Sequence, residues 1–161
     1  MDLDTLYNNL GNMYAKSYKD LVKSEYYFKQ LLVFDSRNQY ALINLGILYT
    51  FYYKNFNIAE DYFLRAYEID CRNIDVLNSL GYLYQEYDVN KSKKYLLMAL
   101  FIDNKHPDTL NNLGNLYMEK FKEYTIAERY YLKLLDTNPE SFTAKYNLKI
   151  LYSKIRDLIR D

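Results

Sequence analysis

Asparagine side chains that could hold a peptide recur at one place in a repeated motif. Asn9, Asn44, Asn112 and Asn147 each stand directly before a Leu-Gly or Leu-Lys pair, and Ser79 takes the same place in one further copy. An asparagine amide offers both a donor and an acceptor, so it pairs with a peptide backbone whatever side chain the peptide carries. A row of such amides predicts a site for an extended peptide.

Residues suited to catalysis or metal binding are scarce. His106 is the only histidine and precedes Pro107, where a helix is predicted to begin, so a role in the helix cap is favoured over a catalytic base. Cys71 is the only cysteine, which excludes an internal disulfide, and no histidine near it in sequence could activate it. We find no phosphate loop or metal-ligand cluster and expect no enzymatic activity, cofactor or metal.

The motif that carries the asparagines occurs five times. Its copies read NNLGNMY, INLGILY, NSLGYLY, NNLGNLY and YNLKILY. The glycines lie at positions 11, 46, 81 and 114, and Lys149 takes the fifth place, so the steps are 35, 35, 33 and 35 residues. Self-similarity at this period predicts an array of helical repeats.

Each repeat is predicted to hold two helices. Leu10 and Tyr14 of the first motif are four residues apart and share a helix face. After each glycine comes a small residue, followed four positions later by a large one, which indicates a second helix. These pairs are Ser24 and Phe28, Ala59 and Phe63, Ser92 and Leu96, and Ala127 and Tyr131. Because a glycine within a helix costs about 1 kcal/mol, four glycines in register predict close approach by that second helix.

The spacings separate a fixed junction from a variable turn. From each small residue to the glycine position of the next motif, the distance is always 22 residues. From each glycine to the small residue that follows it, the distance is 13, 13, 11 and 13 residues. Length variation is therefore confined to the turn inside each pair, and repeats are expected to stack through the other junction. We predict helices near 2–17, 20–34, 38–54, 57–69, 73–87, 90–102, 107–121, 124–136 and 140–159.

This pattern resembles that of the tetratricopeptide repeat family over essentially the whole chain. No copy has the family's early tryptophan, and the late proline survives only as Pro139. The resemblance implies an all-α, right-handed superhelix forming a single domain over residues 1–161. Its four repeats would span 3–36, 37–71, 72–104 and 105–138. A capping helix at 140–159 would follow, with Lys149 in place of glycine because no second helix approaches it.

In the family's usual arrangement the first helix of each pair lines a concave groove, so the asparagine row should face it. The predicted groove residues are Asn9, Asn12, Asn44, Ile47, Phe51, Asn78, Tyr82, Asn112, Asn115 and Asn147. Asp75, Glu86, Asp108 and Glu119 would form an acidic end, which favours a peptide with an apolar anchor and basic residues. The row resembles the asparagine ladder in the repeats of the O-linked N-acetylglucosamine transferase. The alternative is that these asparagines are merely solvated.

One ligand class of the family is not expected. Chaperone adaptors of this family bind a C-terminal carboxylate through lysine, arginine and asparagine. The matching positions here carry Asn8, Asn12, Asn44, Asp75 and Ser79, which lack every basic residue. A carboxylate would be repelled, so that role is excluded.

The sequence therefore predicts a non-catalytic scaffold for protein–protein interaction. Lysine plus arginine equals aspartate plus glutamate at 21 each, so no nucleic-acid partner is expected. No apolar run approaches a membrane span and the start does not resemble a signal peptide, so we expect a cytoplasmic protein without a membrane partner. The alternative function is an assembly subunit or self-associating scaffold that docks through an open edge formed by Leu3, Leu6 and Tyr7.

Overall fold

The computed structural model describes residues 3–160, and over that range the chain forms nine α-helices and no strand. They are α1 (Leu3–Met13), α2 (Leu21–Phe34), α3 (Gln39–Phe51), α4 (Phe56–Ile69), α5 (Ile74–Tyr84), α6 (Val89–Ile102), α7 (Pro107–Leu116), α8 (Tyr124–Thr137) and α9 (Phe142–Arg160). Short π-helical segments, Tyr14–Tyr18 and Tyr117–Phe121, continue α1 and α7. The predicted all-α class is confirmed.

The helix bounds differ from the predicted ones mainly at the turns. α3 ends at Phe51 instead of residue 54, and α5 ends at Tyr84 instead of residue 87. α9 begins at Phe142 instead of residue 140, because the Ser141 hydroxyl caps it by accepting the Ala144 N–H at 3.3 Å. The predicted start of the first helix at residue 2 lies outside the described residues.

The helices group into two compact units, one ending at Leu83 and the other beginning at Tyr84. Within the first unit α1 packs on α2, α2 on α3, and α3 on α4. Within the second unit α6 packs on α7, α7 on α8, and α8 on α9. Packing between consecutive helices is the arrangement that helix–turn–helix repeats require. The single domain and its repeat bounds stay predictions.

Within the helix pairs, a glycine of the first helix faces an aromatic ring of the second. A Cβ added at Gly11 would lie 2.5 Å from the ring of Phe28, and the other pairs are equally close. The rings are buried, so they cannot give way without moving the helices apart. The predicted close approach at the glycines is confirmed for Gly11 with Phe28, Gly46 with Phe63, and Gly114 with Tyr131.

Short polar side chains cap the starts of several helices. A side-chain oxygen of the capping residue accepts the backbone N–H three residues later, which satisfies one free donor at the helix start. The distances are 2.9–3.2 Å for Asp20, Asn38, Asn55 and Asp88. His106 holds the same position before α7, with its ring Nδ1 3.4 Å from the Thr109 N–H. The predicted capping role of His106 is confirmed.

Lysines with left-handed backbone close three of the turns between paired helices. Lys19, Lys54 and Lys122 have φ values of 53°, 54° and 58°. Each follows the glycine of its repeat by eight residues. The turn of the third repeat is two residues shorter. None of the positive φ values found in residues 3–160 falls in that turn. The longer turn therefore requires a residue in the left-handed region.

Replacing Lys54 with glycine is expected to stabilise the protein. A residue with a Cβ is disfavoured at this φ whereas glycine is not, so the free energy of unfolding should rise by about 0.5–1 kcal/mol. Urea unfolding followed by circular dichroism measures the change. Lys105→Gly is the control, because Lys105 lies in a turn without a positive φ and should gain nothing. Equal effects of the two substitutions would contradict the argument.

Candidate functional site

The first unit contains a pair of asparagines that join neighbouring first helices. The Asn44 amide of α3 donates to the Asn8 side-chain oxygen of α1 at 2.9 Å. Asn12 turns back to the same residue, donating to the Asn8 backbone carbonyl at 3.0 Å. The α1 and α3 faces are thus linked by an amide network, and part of the capacity of Asn44 is already used within the chain.

The second unit repeats this arrangement with more burial. The Asn147 amide of α9 donates to the side-chain oxygens of Asn111 at 2.8 Å and Asn115 at 3.2 Å. The Tyr131 hydroxyl of α8 also donates to Asn115, at 2.7 Å. Asn147 is only 9% exposed. Its amide therefore holds α9 on α7 and is poorly placed to meet a ligand.

The predicted row of asparagines thus divides into two kinds. Asn9 is exposed and Asn112 is half-buried, and neither side chain makes a hydrogen bond to any other described residue. Asn44 retains its oxygen and one N–H for a ligand, whereas Asn147 does not face solvent. The acceptors, Asn8 and Asn111, lie one motif position before the row and are also expected from sequence to add to the polar lining of the groove. Their spacing of 36 residues from Asn44 and Asn147, one more than the usual repeat, is the signal that would have indicated the pairing.

A small pocket opens beside the amides of the first unit. It has a volume of about 100 Å³, and its lining combines amides with an apolar floor. An apolar cavity of about 150 Å³ accepts benzene, so this smaller one has room for a single aliphatic side chain. The lining residues are Asn12, Ala15, Lys16, Phe28, Asn44, Ile47, Leu48 and Tyr52. Three of the predicted groove residues, Asn12, Asn44 and Ile47, therefore share one pocket.

Two exposed aromatic rings of the first unit also come from the predicted set. Phe51 and Tyr82 contact each other with ring centroids 5.0 Å apart, and the Lys54 ammonium lies 6.0 Å from the Phe51 ring. Each ring is more than two-fifths exposed. Asn78, in contrast, is buried at 7% exposure and does not present its amide to solvent.

The four acidic residues of the predicted groove end differ in their surroundings. Asp75 is exposed in the first turn of α5, and Asp108 is exposed in the first turn of α7, where the helix dipole favours a carboxylate. In the second unit, Lys120 pairs with Glu86 at 2.8 Å and Lys154 pairs with Glu119 at 3.3 Å. Two of the four charges are therefore offset by lysines, and the acidic end stays a prediction.

The repeated tyrosines contact a charged residue that lies 24 positions earlier. The Tyr49 hydroxyl donates to Glu25 at 2.6 Å, and the Tyr152 hydroxyl donates to Glu128 at 2.5 Å. In the third repeat the charge is reversed, and the Lys93 ammonium lies 5.3 Å from the Tyr117 ring. These contacts join the second helix of one pair to the first helix of the next, so they belong to the repeat junction and not to a ligand site.

The environment of the Tyr49–Glu25 pair is reflected in its pKa values. Burial and the hydrogen bond to Glu25 raise the pKa of Tyr49. Burial alone would raise the pKa of Glu25, but hydrogen bonds from Lys29, Tyr49 and Tyr53 outweigh it and lower that pKa. The pair is therefore a carboxylate with a neutral phenol near neutral pH. It has the character of a structural hydrogen bond and not of an acid–base catalyst.

Solved structures give the chain its fold class. PilF of Pseudomonas aeruginosa superposes with a TM-score of 0.84 at 22% identity, covering 98% of this chain and 71% of that one. A thermophilic tetratricopeptide repeat protein of Thermus thermophilus gives 0.81 at 17% identity, covering 94% and 82%. The chain has the tetratricopeptide repeat fold.

A third structurally similar protein has a peptide-binding site. YrrB, a tetratricopeptide repeat protein with an unusual peptide-binding site, superposes with a TM-score of 0.66 at 19% identity, covering 93% of this chain and 76% of that one. No protein-family model and no curated protein matches the sequence. The similarity therefore rests on repeat architecture.

Helix hydrophobicity and the grouping of possible metal ligands bear on membrane insertion and metal binding. None of the helices between residues 3 and 160 is both long and apolar enough to cross a membrane. Within the same range, no group of three or more histidine, cysteine, aspartate or glutamate residues could hold a metal ion. Cys71 is exposed and unpaired in the described part of the chain.

Proposed function

We propose that this protein is a non-catalytic protein-binding module that holds an extended peptide on the α1–α3 face of its first unit. The observation that carries the proposal is the pocket in which Asn12, Asn44 and Ile47 meet above an apolar floor. An apolar side chain of the peptide would enter the pocket, and the free oxygen and N–H of Asn44 would pair with the peptide backbone. Phe51 and Tyr82 supply an exposed aromatic surface of the kind enriched at interfaces.

The peptide class follows from the lining. The pocket is small, so it selects one aliphatic anchor and not an aromatic one. Exposed Asp75, in the same unit, favours basic residues in the remainder of the peptide. Hydrogen bonds to the peptide main chain discriminate little between side chains, so we expect broad tolerance of the peptide sequence outside the anchor. We expect the peptide to bind with a dissociation constant in the micromolar range.

A library of fluorescein-labelled nine-residue peptides tests this proposal. Each peptide carries one central residue, leucine, valine, phenylalanine or serine, between flanks of either Gly-Lys or Gly-Glu composition. Fluorescence anisotropy should show the tightest binding for an aliphatic centre with lysine flanks. Ile47→Ala should weaken that binding about tenfold because the anchor loses roughly 1.5 kcal/mol of apolar contact.

The matched control is Ile58→Ala, which removes an isoleucine exposed on α4 and away from the pocket. Its affinity should equal that of the wild type. If no peptide of the library binds, or if the Ile47 and Ile58 variants bind alike, the α1–α3 pocket is not the site.

A further inference from the structure

The first helix exposes a face that is buried in every other copy of the motif. Five residues before the glycine position, four copies carry alanine, valine or threonine without any exposed surface, and the first copy carries Leu6, which is 38% exposed. The four buried residues are Ala41, Val76, Thr109 and Ala144. Two residues after the glycine position, Met13 is 37% exposed while its counterparts are at most 3% exposed. Those counterparts are Leu48, Leu83, Leu116 and Leu151.

The exposed face has the spacing of a helix-pairing seam. Leu3, Leu6, Leu10 and Met13 follow one another at intervals of three, four and three residues. Alternating steps of three and four place apolar side chains on the stripe that faces a second helix in coiled-coil packing. Gly11 and Ala15 are buried on a different side of the same helix, where the Gly11 backbone meets Phe28 of α2. The seam is therefore available for a helix from outside the unit.

The occupant is not well described by another repeat of the same kind. A preceding repeat would pack its second helix against the position of Leu6, and that packing accommodates no residue larger than valine in the other copies. Leucine in place of alanine adds three carbon atoms to a site that is completely buried in the other copies, and such overpacking is destabilising. A partner that approaches with different geometry is required.

The polar residue beside the seam indicates what that partner offers. At the same motif position, Asn44 and Asn147 donate to asparagines of the preceding first helix. Asn9 is exposed, and its side chain makes no hydrogen bond within residues 3–160. Since an asparagine amide is both donor and acceptor, it is complementary to a second copy of itself.

We infer that α1 forms a two-fold symmetric, antiparallel interface with α1 of a second copy of this chain. In that pairing Leu3 lies opposite Met13 of the second copy and Leu6 lies opposite its Leu10, so the same four residues make up both halves. The two Asn9 amides fall close to the symmetry axis. An antiparallel arrangement also opposes the two helix dipoles and keeps the Lys16 side chains apart, whereas a parallel one would bring them together.

Sedimentation equilibrium of the full chain over micromolar to sub-millimolar concentrations tests the interface. The wild type should pass from monomer to dimer, and Leu6→Glu should raise the dissociation constant at least tenfold because a carboxylate would be buried in the seam. Leu6→Ala places in α1 the residue that α3 and α9 carry at this position, so it should fold normally and still weaken the dimer. Phe101→Glu, at a side chain 89% exposed on α6, should leave the dimer unchanged.

Cysteine cross-linking fixes the direction of the helices. In a Cys71→Ser background, the variant with both Leu3→Cys and Met13→Cys should form a covalent dimer under mild oxidation. Leu3→Cys alone should not, because two copies of residue 3 lie about 15 Å apart in the antiparallel pair. A wild type that stays monomeric, a dimer that survives Leu6→Glu, or efficient cross-linking by Leu3→Cys alone would each overturn the proposal.

Discussion

Gly46→Ala is expected to destabilise the protein by about 2 kcal/mol, although alanine is the better helix former by roughly 1 kcal/mol. The new methyl group would overlap the ring of Phe63, which is 1% exposed and enclosed by the helix pair. A ring edge in a packed core cannot rotate away from the helix axis, so α3 and α4 must separate. That separation loses contacts along both helices and outweighs the gain in helix propensity.

Urea unfolding measures this change, and two further variants separate its causes. Lys149→Ala changes the equivalent position of the fifth motif, where the side chain is exposed, so it should be neutral or slightly stabilising. Combining Gly46→Ala with Phe63→Leu should recover part of the loss, since the double variant relieves the overlap. If Gly46→Ala raised the free energy of unfolding, the close approach would not be the reason for the glycine.

The glycine was open to prediction from sequence because its cause is local and periodic. A costly residue recurring in register with a small residue 13 positions later already implies two helices in close contact. The large residue four positions further on, Phe63 in the second repeat, is then expected to pack against the glycine. The turns were less predictable. Lysine rarely adopts a positive φ, so the left-handed residue that ends the longer turns carries no compositional signal at Lys54.

Several residues of the candidate site can be predicted from the sequence, but the hydrogen bonds among them cannot. The motif placed Asn12, Asn44 and Ile47 on the first helices of two successive pairs, and these three do line one pocket. Whether an amide faces solvent or a neighbouring helix depends on side-chain rotamers and on the residue opposite. For Asn44 and Asn147 the residue opposite is another asparagine, one motif position earlier in the preceding first helix. Periodicity alone treats all copies of a position as equal and cannot make this distinction.

The repeat tyrosines illustrate the same limit. The motif shows that the tyrosine recurs, but it does not reveal the charged residue that lies 24 positions before Tyr49, Tyr117 and Tyr152. Glu25 and Glu128 accept a phenol hydrogen bond, whereas Lys93 contacts the ring face of Tyr117. One tyrosine therefore serves either sign of charge, because it offers a hydroxyl donor at its tip and a negative ring face. This tolerance explains how the tyrosine stays constant while its partner changes.

Asn147→Ala is expected to lower the free energy of unfolding by about 2 kcal/mol, which separates it from the other asparagines of the predicted row. The substitution removes a buried donor to two side-chain oxygens, those of Asn111 and Asn115. Asn115 keeps the hydrogen bond from the Tyr131 hydroxyl, but Asn111 loses a partner in a half-buried position. The loss falls on the contact between α7 and α9.

Asn9→Ala provides the matched control, because it removes the amide at the same motif position where the side chain is exposed. Its effect on unfolding should stay within about 0.5 kcal/mol at protein concentrations where the chain is monomeric. Calorimetry of the two variants should therefore show a lower Tm for the Asn147 variant alone, with equal helical content in the native state. Equal Tm values would mean that Asn147 contributes no more to folding than an exposed amide does. Asn147 would then again be a candidate for binding a peptide.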